Sequence, residues 1–182
     1  MVALWISRIG PEDWTLLRDL RLRSLLDAPD AFGQRYENAA AETDDEWQAT
    51  ARASASGNRR VWFIARSEAG DAVGLVQARR RAESDCLLFS MWVAPAWRRA
   101  GVGAALVMAV HRWAAGWGAR RVVLWVFGAN ESAMRFYQHI GFRMLAEGPD
   151  AQSGHAFGAL AMELPVEGQD RRSGSAGVES VG

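Results

Sequence analysis

The spacing of hydrophobic residues changes several times along the chain, and each change predicts a new element. Residues 4–9 alternate between apolar and polar, which is typical of a half-buried strand. Apolar residues then recur at helical spacing over 11–26. A polar loop is predicted over 31–43, and the segment Thr43-Asp44-Asp45-Glu46 has the capping-box form that begins a second helix, over 43–56.

Strands dominate the middle of the chain. Residues 61–66, 73–80 and 87–93 are apolar runs separated by short turns, so two successive antiparallel hairpins are predicted. A helix is predicted over 101–116. The continuous apolar run at 122–127 is typical of a strand that is covered on both faces.

The last part of the pattern predicts a short helix over 131–139 and a closing strand pair at 142–147 and 156–164. The element order is then β-α-α-β-β-β-α-β-α-β-β, which predicts a mixed α/β (α+β) fold in a single domain over residues 1–164. The polar, Gly- and Ser-rich remainder, 165–182, has the composition of a disordered tail.

Composition narrows the chemistry that is open to this domain. The 182 residues carry 21 basic and 21 acidic side chains, so no uniform positive field exists to hold nucleic acid or an anionic membrane. Every basic residue is Arg, which excludes a Schiff-base lysine and a phosphate loop that ends in Gly-Lys-Ser/Thr. No run of about 18 apolar residues exists to span a bilayer.

Cysteine and histidine usage argues against disulfide and metal chemistry. A single cysteine, Cys86, excludes an intramolecular disulfide and a multi-cysteine zinc or iron–sulfur site, and a reducing, cytoplasmic setting is expected. His111 and His139 have no partner at ligand spacing, so no metal site is expected. The N-terminal segment lacks the charged start and long apolar run of a signal peptide.

The loop after the strand at 87–93 carries the most specific chemistry. It reads Arg98-Arg99-Ala100-Gly101-Val102-Gly103-Ala104 and leads into a helix. Free backbone N–H groups and the helix dipole favour phosphate at such a helix start, glycines permit close approach, and arginines add cationic donors. A bare Gly-x-Gly is more often only a tight strand-to-helix turn with solvent-facing arginines.

A second motif makes the functional interpretation of this loop specific. It reads Asn130-x-x-Ala133-x-x-Phe136-Tyr137 and is followed by Gly141-Phe142. Together with Arg98-x-x-Gly101-x-Gly103, it resembles the signatures of the GCN5-related N-acetyltransferases (GNAT), and the resemblance covers about residues 2–164. It implies the GNAT fold, in which helices, about four of them, flank a mostly antiparallel sheet of about seven strands with a splayed, V-shaped cofactor cleft.

The resemblance implies an activity and a cofactor. It implies a bacterial enzyme that moves the acetyl group of acetyl-coenzyme A (acetyl-CoA) directly to a primary amine of a small molecule or peptide, in a ternary complex. The strand backbone would pair with the pantetheine arm, and the loop would bind the pyrophosphate. The implied cofactor-binding positions are Met91, Trp92, Val93, Arg98, Arg99, Ala100, Gly101, Val102, Gly103, Ala104, Asn130, Ala133, Phe136 and Tyr137.

Three of these positions have further interpretations. Tyr137 is the expected general acid, because the leaving thiolate needs a proton or a hydrogen-bond donor and the family often has a Tyr here. The backbone N–H of Val93 is expected to contact the oxyanion. Asn130, which bonds the pantetheine arm in many relatives, equally suits a helix N-cap.

The sequence leaves the identity of the general base open. Many relatives have a Glu on the strand before the loop, on the same face as Val93. Alternation along this strand places Leu87 and Phe89 on that face, with Ser90 and Trp92 on the other, so a strand carboxylate is absent. The alternatives are a water chain, Glu37, Glu42 or His155.

The acceptor region of the family corresponds to residues 28–47 and 147–157 here. Candidate acceptor contacts within it are Phe32, Tyr36, Glu37, Trp47 and His155. They suit a small cationic amine, an amino acid derivative or a peptide amine, and the sequence does not choose among them. A second hypothesis is a CoA-binding sensor or interaction module that has lost transfer activity. Relatives are often homodimers, and no dimer interface is evident from the sequence.

Overall fold

The computed structural model describes residues 4–81, 84–146 and 158–166. The strands within these ranges are β1 (Leu4–Arg8), β2 (Arg60–Ser67), β3 (Ala72–Arg81), β4 (Asp85–Val93), β5 (Arg121–Phe127), β6 (Arg143–Met144) and β7 (Ala159–Pro165). They form one sheet in the order β1-β2-β3-β4-β5-β7-β6. Only the β4–β5 pairing is parallel, and the other described pairings are antiparallel. The predicted mixed fold with a mostly antiparallel sheet is confirmed.

The helices of the described residues include the four that the sequence predicts. A fifth, α2 (Tyr36–Ala40), forms within the predicted polar loop, where its Ala39 is fully buried against the core. Packing of that residue, rather than any periodic pattern, accounts for this short helix. The helices are α1 (Trp14–Asp27), α2 (Tyr36–Ala40), α3 (Asp44–Ser56), α4 (Val102–Gly116) and α5 (Glu131–His139).

Side-chain caps fix the starts of two helices. At α3, the Thr43 N–H donates to the Glu46 carboxylate at 2.7 Å, and the Glu46 N–H donates to the Thr43 hydroxyl at 3.4 Å. At α5, the Ala133 N–H donates to the side-chain oxygen of Asn130 at 3.1 Å. The predicted capping box and the predicted N-cap role of Asn130 are both confirmed.

The core lies on both faces of the sheet. One cluster packs α4 against the strands and contains Leu106, Val76 and Cys86. The other packs α1 and α3 against the opposite face and contains Leu20 and Trp47. Burial raises the pKa of the Cys86 thiol to about 12, which suits an inert core residue.

The last strand reaches slightly beyond the predicted domain boundary. It ends at Pro165, and the buried Val166 donates its N–H to the Arg120 carbonyl at 2.8 Å. The tail was predicted over 165–182; its first two residues belong to the fold, and residues 167–182 lie outside the described part. The partner strand β6 is only two residues long, shorter than predicted. No helix of the described residues is long and apolar enough to cross a membrane.

Candidate active site

The strands β4 and β5 pair only at their beginnings. Asp85–Leu87 align with Arg121–Val123, and no further pairing joins the two strands among the described residues. Beyond that point they diverge around a cleft of about 630 Å³. The cleft is lined by Leu88–Met91 of β4, Leu124–Phe127 of β5, the start of α5 and the loop at 31–34. The splayed cleft expected from the sequence is present.

A β-bulge in β4 lies beside this divergence. Leu75 pairs with Trp92 and Gln77 with Phe89, so Ser90 and Met91 together oppose a single residue of β3. Ser90 has a φ of 50°, which is uncommon for a residue other than glycine. The extra residue resets the alternation of side chains along the strand.

The bulge corrects one prediction about faces. Leu88 belongs to the α4-side cluster, and Met91 and Val93 pack against it, whereas Trp92 lies in the α1-side cluster. Leu87 and Phe89 therefore do not share a face with Val93, although Trp92 does point away from it as predicted. The residues that share the face, Leu88 and Met91, are also apolar, so β4 supplies no carboxylate there.

The backbone of Val93 is directed towards the cleft side of β4. Val93 lies opposite Gly74, while the Ala94 N–H donates to the Val73 carbonyl at 2.9 Å. Alternate residues of an antiparallel pair direct their polar groups to opposite sides, so those of Val93 point away from β3. Its carbonyl accepts a hydrogen bond from the Nε of Arg98 at 3.0 Å.

Tyr137 lies at the cleft with its side chain buried. Its ring packs edge-to-face against Phe136 and Phe142, with centroid distances of 5.2 and 5.3 Å. Its hydroxyl donates to the sulfur of Met91 at 3.5 Å. Burial raises the pKa of the Tyr137 phenol well above its ordinary value, so the hydroxyl stays protonated near neutral pH. Tyr137 is thus a proton-bearing donor with a weak acceptor.

The loop before α4 has an unusual backbone. Arg99 has a φ of 64° and Gly101 a φ of 83°, so glycine is required by the turn at the second position. Gly101 precedes α4 and gives it no side-chain cap. The N–H groups of the first helical turn therefore have neither an intrahelical partner nor a cap from that residue.

Gly103 serves packing. A Cβ at this position would lie 2.9 Å from the Met91 Cε and 3.0 Å from the Phe136 Cζ. The missing side chain lets α4 approach β4 and α5 closely. This is a reason for glycine that the sequence did not reveal.

Arg98 is held by the protein itself. Besides bonding the Val93 carbonyl, its guanidinium donates to the Asp27 carboxylate at the end of α1. The same carboxylate accepts the Trp92 indole N–H at 2.8 Å. The neighbouring Arg99 is exposed.

The structure brings together only part of the predicted set at the cleft wall. The residues that line it are Met91, Asn130, Ala133, Tyr137 and Phe32. The residues of the loop and the α4 start adjoin the same end of β4 without lining the wall, and Phe136 packs behind it against Gly103. Of the acceptor candidates, Tyr36 packs against the α1-side core and Glu37 is exposed. His155 lies outside the described residues.

A smaller recess of about 160 Å³ adjoins the cleft on its α1 side. The two share the lining residues Arg21, Gln34, Gln77 and Ser90. None of these four was predicted. Arg21 offered one signal, since it is a charged residue on the apolar stripe of α1. The remaining recess residues are Glu42, Trp47, Thr50, Arg60 and Trp62.

Glu42 is the base candidate that reaches this region. It lines the recess and accepts a hydrogen bond from the Gln34 side-chain nitrogen at 2.9 Å. Burial is the largest influence on its carboxyl and raises its pKa. A raised pKa makes the Glu42 carboxylate a better proton acceptor.

Comparison with known proteins identifies the family. The model of the acetyltransferase (GNAT) family matches residues 20–142. The chain belongs to this family. The GNAT match spans both motifs and the strands that splay.

Curated relatives of the chain include uncharacterized N-acetyltransferases of Mycobacterium tuberculosis and Mycobacterium bovis. Each is 37% identical over 86 residues, which is 47% of this chain and 54% of the relative. The chain thus spans about half the length of the curated relatives it matches.

Solved structures show the same GNAT fold. A GNAT acetyltransferase from Streptococcus pneumoniae has a TM-score of 0.69 at 22% identity, covering 90% of this chain and 100% of that one. The PaiA N-acetyltransferase of Thermoplasma acidophilum, solved with coenzyme A, has a TM-score of 0.70 at 15% identity, covering 90% and 99%. The yncA protein of Salmonella typhimurium, solved with acetyl-CoA, has a TM-score of 0.70 at 18% identity, covering 91% and 95%.

Proposed function

We propose that this chain is an N-acetyltransferase that moves the acetyl group of acetyl-CoA directly to a primary amine. The divergence of β4 from β5 after Leu87 and Val123 carries the proposal. It opens a cleft between strand backbone and a protonated phenol, next to a helix start without a side-chain cap. Membership of the GNAT family supports the same reaction.

The residues present fit acetyl-CoA. Beyond Leu87 the backbone of β4 is free of a β5 partner, and its groups that face the cleft, those of Val93 among them, would pair with the amides of the pantetheine arm. The N–H groups of Val102–Ala104, at the positive end of α4, would hold the pyrophosphate, and the exposed Arg99 would add charge. Two proteins of similar fold contain coenzyme A or acetyl-CoA, which supports this placement.

The chain would assist transfer with two donors. Acetyl-CoA, when bound, supplies an activated thioester. The Val93 N–H, directed to the cleft side of β4, would donate to the carbonyl oxygen as negative charge develops there. The Tyr137 hydroxyl would exchange the weak Met91 acceptor for the departing thiolate and protonate it.

The group that accepts the amine proton is expected on the recess side of the cleft. The apolar face of β4 that holds Leu88 and Met91 offers no carboxylate. We assign the role of proton acceptor to Glu42, acting through water, because it lines the recess and its pKa is raised. Its replacement by Gln should lower the rate where the Glu42 carboxylate is ionised and should change the rate little at a pH low enough to protonate that carboxyl in the wild type.

A second candidate function rests on the same apolar face. A GNAT domain without a strand carboxylate also suits a CoA-binding sensor. The test is thiol release from acetyl-CoA by purified protein over a panel of amines. Amine-dependent release supports the enzyme, whereas tight acetyl-CoA binding with no release above the buffer rate for any amine supports the sensor.

A further inference from the structure

The recess beside the cleft is large enough for part of a substrate. Its volume of about 160 Å³ equals that of roughly five water molecules. It meets the cleft at Ser90 and Gln77, on the bulged part of β4 and its neighbour β3. A group bound in the recess would therefore belong to a molecule whose other end reaches the cleft between the diverging strands β4 and β5.

Arg21 brings a buried positive charge to this place. Its side chain is 4% exposed, and its donors meet only neutral partners. They bond the side-chain oxygen of Gln34 at 3.0 and 3.1 Å and the hydroxyl of Ser24 at 3.4 Å. Burial lowers its pKa to about 10, so the guanidinium remains charged near neutral pH. No described carboxylate lies within ion-pair distance of it, and the charge of Glu42, on the other side of Gln34, offsets the effect of burial only in part.

Arg60 adds a second positive charge. It is half-buried at the recess, and the strand register places Arg79 opposite it on β3. Burial and that neighbouring charge both lower its pKa. Like charges in facing positions repel each other. Arg60 forms no ion pair with any carboxylate of the described residues.

Two further donors lack acceptors. Trp47 and Trp62 line the recess and are 3% and 5% exposed. The indole N–H of each is buried without a hydrogen-bond partner in the described part of the chain. Against these donors stands one acid, Glu42, which the Gln34 amide separates from Arg21. Donors and positive charge are therefore in excess.

We propose that the recess binds a carboxylate of the acceptor, so that the acceptor is an amine that also carries a carboxylate, such as an α-amino acid. The inference rests on the proposed function. The guanidiniums of Arg21 and Arg60 bind the carboxylate, since planar donors of this kind match it geometrically. The amine then lies on the Ser90 and Gln77 side, where the recess meets the cleft between the diverging strands β4 and β5.

Matched acceptors test this directly. We would compare leucine with leucinamide and 3-methylbutylamine, and phenylalanine with phenylalaninamide and phenethylamine, in the acetyl transfer assay. The amine of the amide is the less basic one, so intrinsic reactivity favours the amide at neutral pH. We expect kcat/KM to be at least about tenfold higher for the amino acid, mainly through KM.

Substitutions of the recess arginines test carboxylate binding separately from effects on the fold. Arg21→Gln and Arg60→Gln should each reduce the preference for the carboxylate at least about fivefold. Arg18→Gln serves as the control, since Arg18 lies on α1 and pairs with Asp44 outside the recess. Because Arg21 is buried, the half-buried Arg60 gives a second variant that does not depend on core packing.

A binding readout keeps the two proposals distinct. The amino acid and its amide are titrated calorimetrically into protein saturated with coenzyme A, and only the amino acid should bind. If acetyl-CoA binds and amines are acetylated with no preference for the carboxylate, the recess proposal is overturned and the proposed function stands. A preference that survives both variants also overturns it. If acetyl-CoA does not bind, both proposals fail.

Discussion

The guanidinium of Arg98 donates a hydrogen bond to the carboxylate of Asp27, and this bond connects the loop before α4 to the C-terminal end of α1. The same side chain bonds the carbonyl of Val93 at 3.0 Å. Arg98 thus joins the strand, the loop and the helix that border the cleft. In this structure it positions the loop in addition to bringing charge to it.

The Arg98–Asp27 contact predicts coupled losses in cofactor binding. Arg98→Ala and Asp27→Ala should each weaken acetyl-CoA binding about tenfold, and the double variant should be little worse than either single one, because all three lose the same contact. Calorimetric titration measures this cycle. Arg112→Ala, on the exposed part of α4, is the control. Additive losses would show that the two residues act independently.

Replacement of Tyr137 by Phe should lower kcat about a hundredfold or more, since the change removes one proton donor and keeps the ring packing. The Kd for acetyl-CoA should change little. Tyr36→Phe makes the same chemical change outside the cleft wall and should leave kcat near the wild-type value. An unaltered rate in Tyr137→Phe would remove the general-acid role.

A methyl group at Gly103 should disturb the cleft. Gly103→Ala brings a Cβ to 3.0 Å from the Phe136 ring, so we expect a loss of about 1–3 kcal/mol in unfolding free energy and weaker acetyl-CoA binding. Gly116→Ala, at the other end of α4, meets open space and should stabilise by about 0.5 kcal/mol. Urea denaturation compares the two. Equal effects would contradict the packing role of Gly103.

The hydrogen bonds of Asp85 should make part of the unfolding free energy sensitive to acid. Its carboxylate accepts hydrogen bonds from Arg81 at 2.7 Å and from Arg121 at 2.9 and 3.1 Å, where β4 and β5 still pair. These bonds hold the pKa of Asp85 below its usual range. Their contribution is therefore complete at neutral pH and is lost as pH falls below about 4.

Asp85→Asn should accordingly lower the unfolding free energy at pH 7 by about 1–3 kcal/mol, through the loss of charged hydrogen bonds. The difference from wild type should shrink as the pH approaches 3. Asp19→Asn removes an exposed ion pair with Arg23 and should cost little at any pH. A pH-independent difference would argue against charge as the cause.

The sequence predicted most of the fold because local signals there agree with packing. Thr43 and Glu46 formed the predicted capping box, and Asn130 capped α5. The position of the bulge, at Ser90, was not predicted, because the strand is as apolar there as a regular strand. That single extra residue moved Leu87 and Phe89 to the other face.

The cleft was predictable from its motifs, whereas only Glu42 and Trp47 among the recess residues were candidates from the sequence. Arg98, Gly101 and Tyr137 stand in recognisable spacings. Arg21, Gln34 and Arg60 come from α1, the loop after it and β2, so only the tertiary fold brings them together. A charged residue on an apolar helical stripe, Arg21, was the one local sign of the positive charge at the recess.

Calorimetric titration of the protein with acetyl-CoA, with a nicotinamide dinucleotide as control, decides whether the cleft binds the cofactor. We expect saturable binding of one acetyl-CoA per chain with a micromolar Kd, weakened by Arg98→Ala, and no heat with the dinucleotide. Folded protein that gives no saturable heat with acetyl-CoA or with coenzyme A would overturn the proposed function.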